Sequence, residues 1–210
     1  MKNKVSAVAA SVGAVAALAG LCMSTAASAA GSADEGQSKS TACIACHGPN
    51  GNSSNPEWPN LAGQHAPYIL KQLQAFKGGA RKNPLMTPMA MGLSDDDMED
   101  LAAFFSTQKP ASTLEADAGK LAVGQRVYRS GDAKTGAPAC AACHGPTGSG
   151  NPPAGYPELR GQHATYVAAQ LRAYRAGTRQ TDPNQVMRNV AGTMSDEQID
   201  AVASYVQGLR

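Results

Sequence analysis

Aromatic residues are scarce in this chain: three Phe, one Trp and six Tyr among 210 residues. That length allows one or two domains, yet so few rings do not fill two ordinary cores, and a large apolar cofactor would supply what they lack. Charge is also sparse, at 16% of residues, and the 22 Gly follow no three-residue period, so a coiled coil and a collagen are excluded. With 42% apolar residues the chain is not wholly disordered. Long apolar runs are missing beyond residue 21. The single run, Val5 to Leu21, follows Lys2 and Lys4 and precedes Ala27-Ser28-Ala29, the pattern of an export leader spanning 1–29 with cleavage after Ala29. Its Ala- and Gly-rich composition and the lack of a second such run disfavour a membrane anchor. Cys22 follows Leu21, a poor match to the small residue of a lipid-attachment site, and is discarded with the leader.

Net charge is absent as well. Without Lys2 and Lys4, 16 of the 18 basic residues remain against 16 acidic ones, a balance that excludes an electrostatic nucleic-acid binder. The balance is uneven along the chain: residues 30–108 hold five basic and eight acidic residues, whereas 109–210 hold eleven and eight. The mature protein is expected to be an electric dipole.

What the chain does have is a duplication. Cys43-x-x-Cys46-His47-Gly48-Pro49 recurs as Cys140-x-x-Cys143-His144-Gly145-Pro146, 97 residues on; Gly63-Gln64-His65-Ala66 recurs as Gly161-Gln162-His163-Ala164, 98 residues on; and Leu93-Ser94-Asp95 answers Met194-Ser195-Asp196 at 101. Between the copies, 109–117 (Lys109 to Asp117, with Pro110) has a linker's composition. The division is therefore 30–108 and 118–210. Units this small are near the lower limit for folding on one core, where a cofactor or covalent staple helps.

Periodicity in both units is helical, which predicts an all-α fold. Ser94 and Ser195 read as N-caps, followed by apolar positions Met98, Leu101, Ala102 and Phe105, and Ile199, Val202, Ala203 and Val206. Pro67–Phe76 and Thr165–Tyr174 form a second pair, and the segments before the cysteine motifs a third. The Gly- and Pro-rich stretches between them read as loops over a buried object.

The two C-x-x-C-H motifs carry the chemistry. Thiols three positions apart can add to the two vinyl groups of one porphyrin, while the adjacent imidazole ligates its iron, so Cys43, Cys46 and His47, and Cys140, Cys143 and His144, predict two covalent haems c. A shared zinc is the weaker reading, because the pairs are far apart in sequence and both histidines would be unexplained. Simple disulfides remain open for an exported protein. The 101-residue register pairs Met86 with Met187, Met89 with Val190, Met91 with Gly192 and Leu93 with Met194. Met86 and Met187 are thus the expected distal ligands, with Met89 as packing and Met194 as an apolar residue leading into a helix. His65 and His163 also recur, 18 and 19 residues after the motif histidines, where a helix-start or surface role competes with ligation. Pro59 and Pro157, 12 and 13 residues after the motif histidines, are placed to fix those rings through a carbonyl.

Trp58-Pro59-Asn60-Leu61-Ala62-Gly63 resembles the loop of class I cytochromes c whose proline carbonyl accepts from the haem histidine. Two such units after a leader, with Gly63-Gln64, Tyr68, Gln72-Leu73 and Arg81 mirrored by Gly161-Gln162, Tyr166, Gln170-Leu171 and Arg179, resemble the cytochrome c4 family. The resemblance implies two class I cytochrome c domains related by a pseudo-twofold axis, haems near their interface, and a periplasmic electron carrier. Its partners would be membrane respiratory complexes, with a donor such as a quinol–cytochrome c oxidoreductase and an acceptor such as a haem–copper terminal oxidase, and peripheral association with the membrane is compatible with that role. It leaves Arg81 and Arg179 either near haem propionates or as surface residues, and the Pro152-Pro153 insertion is a departure that puts the second haem loop's geometry in question. A non-enzyme is expected. A dihaem peroxidase, which needs an open iron position, and a dihaem subunit of a dehydrogenase complex are the alternatives.

Overall fold

The structure, a computed structural model, describes residues 31–111 and 114–210. The leader with Cys22 and its cleavage point, and Ser112 and Thr113 of the linker, lie outside the described residues. In the first unit the helices are α1 (Ala33–Lys39), α2 (Thr41–His47), α3 (Ala66–Lys77), α4 (Met86–Met91) and α5 (Asp95–Thr107). The second unit has α6 (Leu121–Ser130), α7 (Ala141–His144), α8 (Ala164–Arg175), a 3-10 turn (Pro183–Gln185), α9 (Val186–Gly192) and α10 (Asp196–Gly208). Among the described residues the only β pairing is two isolated bridges, Asp132 with Ala137 and Asn151 with Tyr156. No helix there is long and apolar enough to cross a membrane.

The last helix of each unit is its structural centre, and its start is written in the sequence. Ser94 and Ser195 each accept from the backbone N–H three residues on, while Asp97 and Gln198 reach back to the cap, closing a capping box. Leu101, Ala102 and Phe105 of α5 pack with Ile69 of α3, and Val202, Ala203 and Val206 of α10 pack with Val127 and Tyr128 of α6. α3 and α8 each run one residue further at both ends than periodicity predicted. α4 and α9 are short helices in stretches read as loop.

A feature without a sequence signal fixes how the first helix of each unit crosses the last. A Cβ on Gly36 would sit 2.0 Å from the Asp100 carbonyl oxygen, and one on Gly124 would sit 2.2 Å from that of Ala201. Only glycine permits backbones to approach this closely. Gly124→Ala is expected to separate α6 from α10 at a cost of about 2 kcal/mol, roughly 10 °C in the melting of a unit this size. Scanning calorimetry of the holoprotein reads the change; an unaltered midpoint would show that the crossing yields freely.

The linker is tied at both ends. Asn52 donates to the Lys109 carbonyl and accepts from Ala111 N–H, while Ser204 accepts from Asp117 N–H.

Candidate functional site

In the first unit, Cys43, Cys46 and His47 all lie on α2, where residues three apart share a face. In the second, Cys140 caps the one-turn α7 in helical conformation (φ −60°, ψ −36°), so Cys140 and Cys143 keep the same relation. Each histidine is followed by a glycine that stops the helix: Gly48 at φ 81°, ψ 158° and Gly145 at φ 78°, ψ 159°. That backbone region is essentially closed to residues with a side chain.

Both histidine rings are buried and held in one tautomer. His47 Nδ1 donates to the Pro59 carbonyl at 2.9 Å and His144 Nδ1 to the Pro157 carbonyl at 3.0 Å. A carbonyl only accepts, so the proton is on Nδ1 and Nε2 keeps its lone pair. Burial lowers the pKa of both rings, against the opposing push of the carbonyls, and favours this neutral form. The Pro152-Pro153 insertion leaves the contact intact, because the extra chain is taken up where Asn151 and Tyr156 exchange backbone hydrogen bonds.

None of the four cysteines is paired in a disulfide. Burial pushes the Cys43 thiol up and that of Cys140 up to about 11. Among the described residues, no three or more His, Cys, Asp or Glu side chains converge to hold a metal ion, and the two pairs therefore do not build a shared cage.

Met86 opens α4, where Asn83 Oδ1 accepts from the N–H groups of Leu85 and Met86, both at 2.9 Å. Met187 lies in α9 just beyond Asn184 (φ 53°) and Gln185 (φ 59°), consecutive left-handed residues costing about 1–2 kcal/mol each. Asp182 steadies this turn by accepting from the Arg188 backbone and guanidinium. Met86 and Met187 are half-buried, Met89 and Met91 are exposed, and Met194 is in the second core.

The recurring histidines have another place. His65 and His163 are the N-cap residues of α3 and α8, and their Nε2 atoms donate across the interface to the Ser149 carbonyl (2.8 Å) and the Ser53 carbonyl (2.9 Å). Beside them, Arg81 donates to Gln72 (2.8 Å), Tyr166 (2.9 Å) and Gln170 (2.8 Å). Arg179 returns the pattern to Gln170 (2.8 Å), Tyr68 (2.9 Å) and Gln72 (2.9 Å). The reciprocity is a pseudo-twofold relation written in side chains. Burial pushes the Tyr166 phenol up, but the two guanidiniums outweigh it and the net direction is down. Both arginines are buried, which excludes the surface reading, and among the described residues neither meets a carboxylate.

These features fit haem c. The donor set offers a neutral imidazole nitrogen and two thiols per unit, and the buried guanidiniums have the charge that propionates require.

The helices, loops and paired histidine centres define a c-type cytochrome with two haem units in tandem, and the Cytochrome c family matches the chain twice, over residues 33–109 and 121–210. Cytochrome c4 of Thiocapsa roseopersicina is 48% identical over 155 residues, covering 73% of this chain and 80% of the relative. The crystal structure of reduced recombinant cytochrome c4 from Pseudomonas stutzeri superposes with a TM-score of 0.83 at 46% identity, covering 86% of this chain and 100% of that one. A thiosulfate dehydrogenase electron acceptor from Stutzerimonas stutzeri (strain A1501) is 45% identical over 151 residues, covering 70% of this chain and 69% of the relative. The chain belongs to the cytochrome c4 family, dihaem electron-transfer proteins with covalent haem c.

Proposed function

We propose that the protein is a periplasmic carrier of single electrons between membrane respiratory complexes, taking them from a quinol–cytochrome c oxidoreductase and delivering them toward a haem–copper terminal oxidase. Cys43 and Cys46 would attach the first haem and Cys140 and Cys143 the second; His47 with Met86, and His144 with Met187, would hold their irons. The observation that carries this reading is the fixing of both imidazoles through Nδ1 by Pro59 and Pro157. Each haem, when bound, would supply a one-electron ferric/ferrous couple, and thioether together with imidazole ligation would favour a positive potential. The chain fixes the imidazoles through Pro59 and Pro157, so electron transfer needs little rearrangement, and no substrate is transformed.

The purified ferric protein tests this. Two low-spin haems with a sulfur-to-iron charge-transfer band and no peroxide turnover are expected; an exchangeable water on either iron would overturn the reading. In a domain-assigned redox titration of the same material, the first haem is expected at the lower potential, because its half carries five basic and eight acidic residues against eleven and eight in the other. Salt screens such a difference, so it should narrow as ionic strength rises. A first haem at the higher potential would refute the ordering.

A second reading, electron acceptor of a thiosulfate-oxidising enzyme, is favoured by the relative of that name. Reduction of the protein by thiosulfate and such an enzyme, faster than by a quinol-oxidising complex, would support it.

A further inference from the structure

We infer that the Gly-Gln-His segment of each half is a positioning device for the haem histidine of the opposite half, so that closure of the interface tunes the two irons crosswise. This rests on the assignment of His47 and His144 as iron ligands. The Pro59 carbonyl that accepts from His47 belongs to the same peptide group as the Asn60 N–H. That N–H donates to Gln162 Oε1 of the other half at 2.8 Å, and Gln162 Nε2 donates back to the Asn60 carbonyl at 2.9 Å. The chain of contacts therefore runs from the His47 ring through one peptide plane to Gln162.

The second half repeats it. The Pro157 carbonyl accepts from His144, the N–H of the same peptide, that of Glu158, donates to Gln64 Oε1 at 3.0 Å, and Gln64 Nε2 donates to the Glu158 carbonyl at 2.9 Å. The neighbouring histidines complete each clasp. His163 Nε2 donates to the Ser53 carbonyl, and Ser53 in turn links its own loop: its N–H donates to Asn60 Oδ1 at 2.9 Å and its hydroxyl to the Cys46 carbonyl at 3.2 Å. Gln64, Gln162 and His163 are all buried.

Hydrogen bonds in series polarise one another. An acceptor on the Asn60 N–H makes the Pro59 oxygen more negative, strengthens its bond to His47 Nδ1–H, and raises the basicity of Nε2. A more basic imidazole stabilises ferric iron. Gln162 thus lowers the potential of the first haem although it is part of the second half, and Gln64, in the first half, likewise lowers that of the second haem.

The test uses Gln162→Met and Gln64→Met in the full holoprotein, Met being close to Gln in volume so that the interface stays filled. Small-angle scattering confirms an unchanged radius, and the wild-type spectrum establishes imidazole ligation independently. Gln162→Met is expected to raise the ferrous/ferric ratio of the first haem at fixed potential by about 2- to 10-fold, the range that one hydrogen bond carries. It should shift the His47 ring-proton resonances while those of His144 stay in place. Gln64→Met should give the mirror result. A shift confined to the haem of the substituted half, an equal shift in both, or none in either would overturn the inference. Lack of imidazole ligation in the wild type would instead defeat the assignment on which it rests.

Discussion

Met187→Ala is expected to turn half of the ferric haem high-spin, remove half of the sulfur charge-transfer absorption, and give the protein a peroxide-consuming activity that the parent lacks. Alanine cannot reach or ligate iron, and the vacated position is the one a haem peroxidase must open. Met86→Ala should do the same to the other haem. The two are not equivalent in their setting. Met86 starts a helix through an unstrained turn on Asn83, whereas Met187 follows the left-handed pair Asn184 and Gln185. Strain next to a ligand favours states in which the ligand is released, so the second iron should open at a lower concentration of an exogenous ligand such as imidazole, even in the parent protein. Electron paramagnetic resonance with domain-specific variants reads both results. A wholly low-spin Met187→Ala would transfer ligation to another side chain.

Arg81→Met is expected to weaken docking of the halves by about 3 kcal/mol, on the order of 100-fold in the open/closed ratio. The guanidinium makes three hydrogen bonds, two of them to the opposite half, and stacks over Phe76 at 4.5 Å from the ring centre. Its loss strands the Tyr166 hydroxyl at the interface. Arg179, over Tyr174 at 4.6 Å, holds the mirror position. Arg81→Lys should rescue little, because an ammonium cannot address Gln72, Tyr166 and Gln170 as a planar fork does. Since Arg81 and Arg179 share Gln72 and Gln170 as acceptors, the double variant should cost less than the two single losses together. Scattering profiles and denaturant titrations of the holoprotein measure this; a closed Arg81→Met with parental stability would show the contacts to be energetically neutral.

The parts legible in sequence are those where chemistry demands a fixed local spacing. C-x-x-C-H is one, since two thioethers and an imidazole must meet one porphyrin. The Ser94 and Ser195 capping boxes are another, because cap and N3 residue are three positions apart. Both are local, and so are the helix pairs they introduce. The interface was visible only as repetition. Gln64, His65, Gln162 and His163 stood out as recurring residues, but their partners are backbone groups of Ser53, Asn60, Ser149 and Glu158 about a hundred residues away, and a backbone carbonyl has no signature. Gly36 and Gly124 were missed for a similar reason: their function is to leave room for a helix that only the fold brings near. α4 and α9 were hidden by their brevity among Gly and Pro.

The glycine after each haem histidine extends the attachment signature by one letter that has no part in attachment. A methyl group on Gly48 would lie 2.2 Å from the Asn52 oxygen, whereas one on Gly145 would find only the Ser149 hydroxyl, at 3.6 Å. The first copy is thus closed to substitution by crowding as well as by torsion, the second by torsion alone. Substitution is therefore unequally constrained at otherwise twin positions, and a library randomised at both should recover survivors at 145 before any at 48.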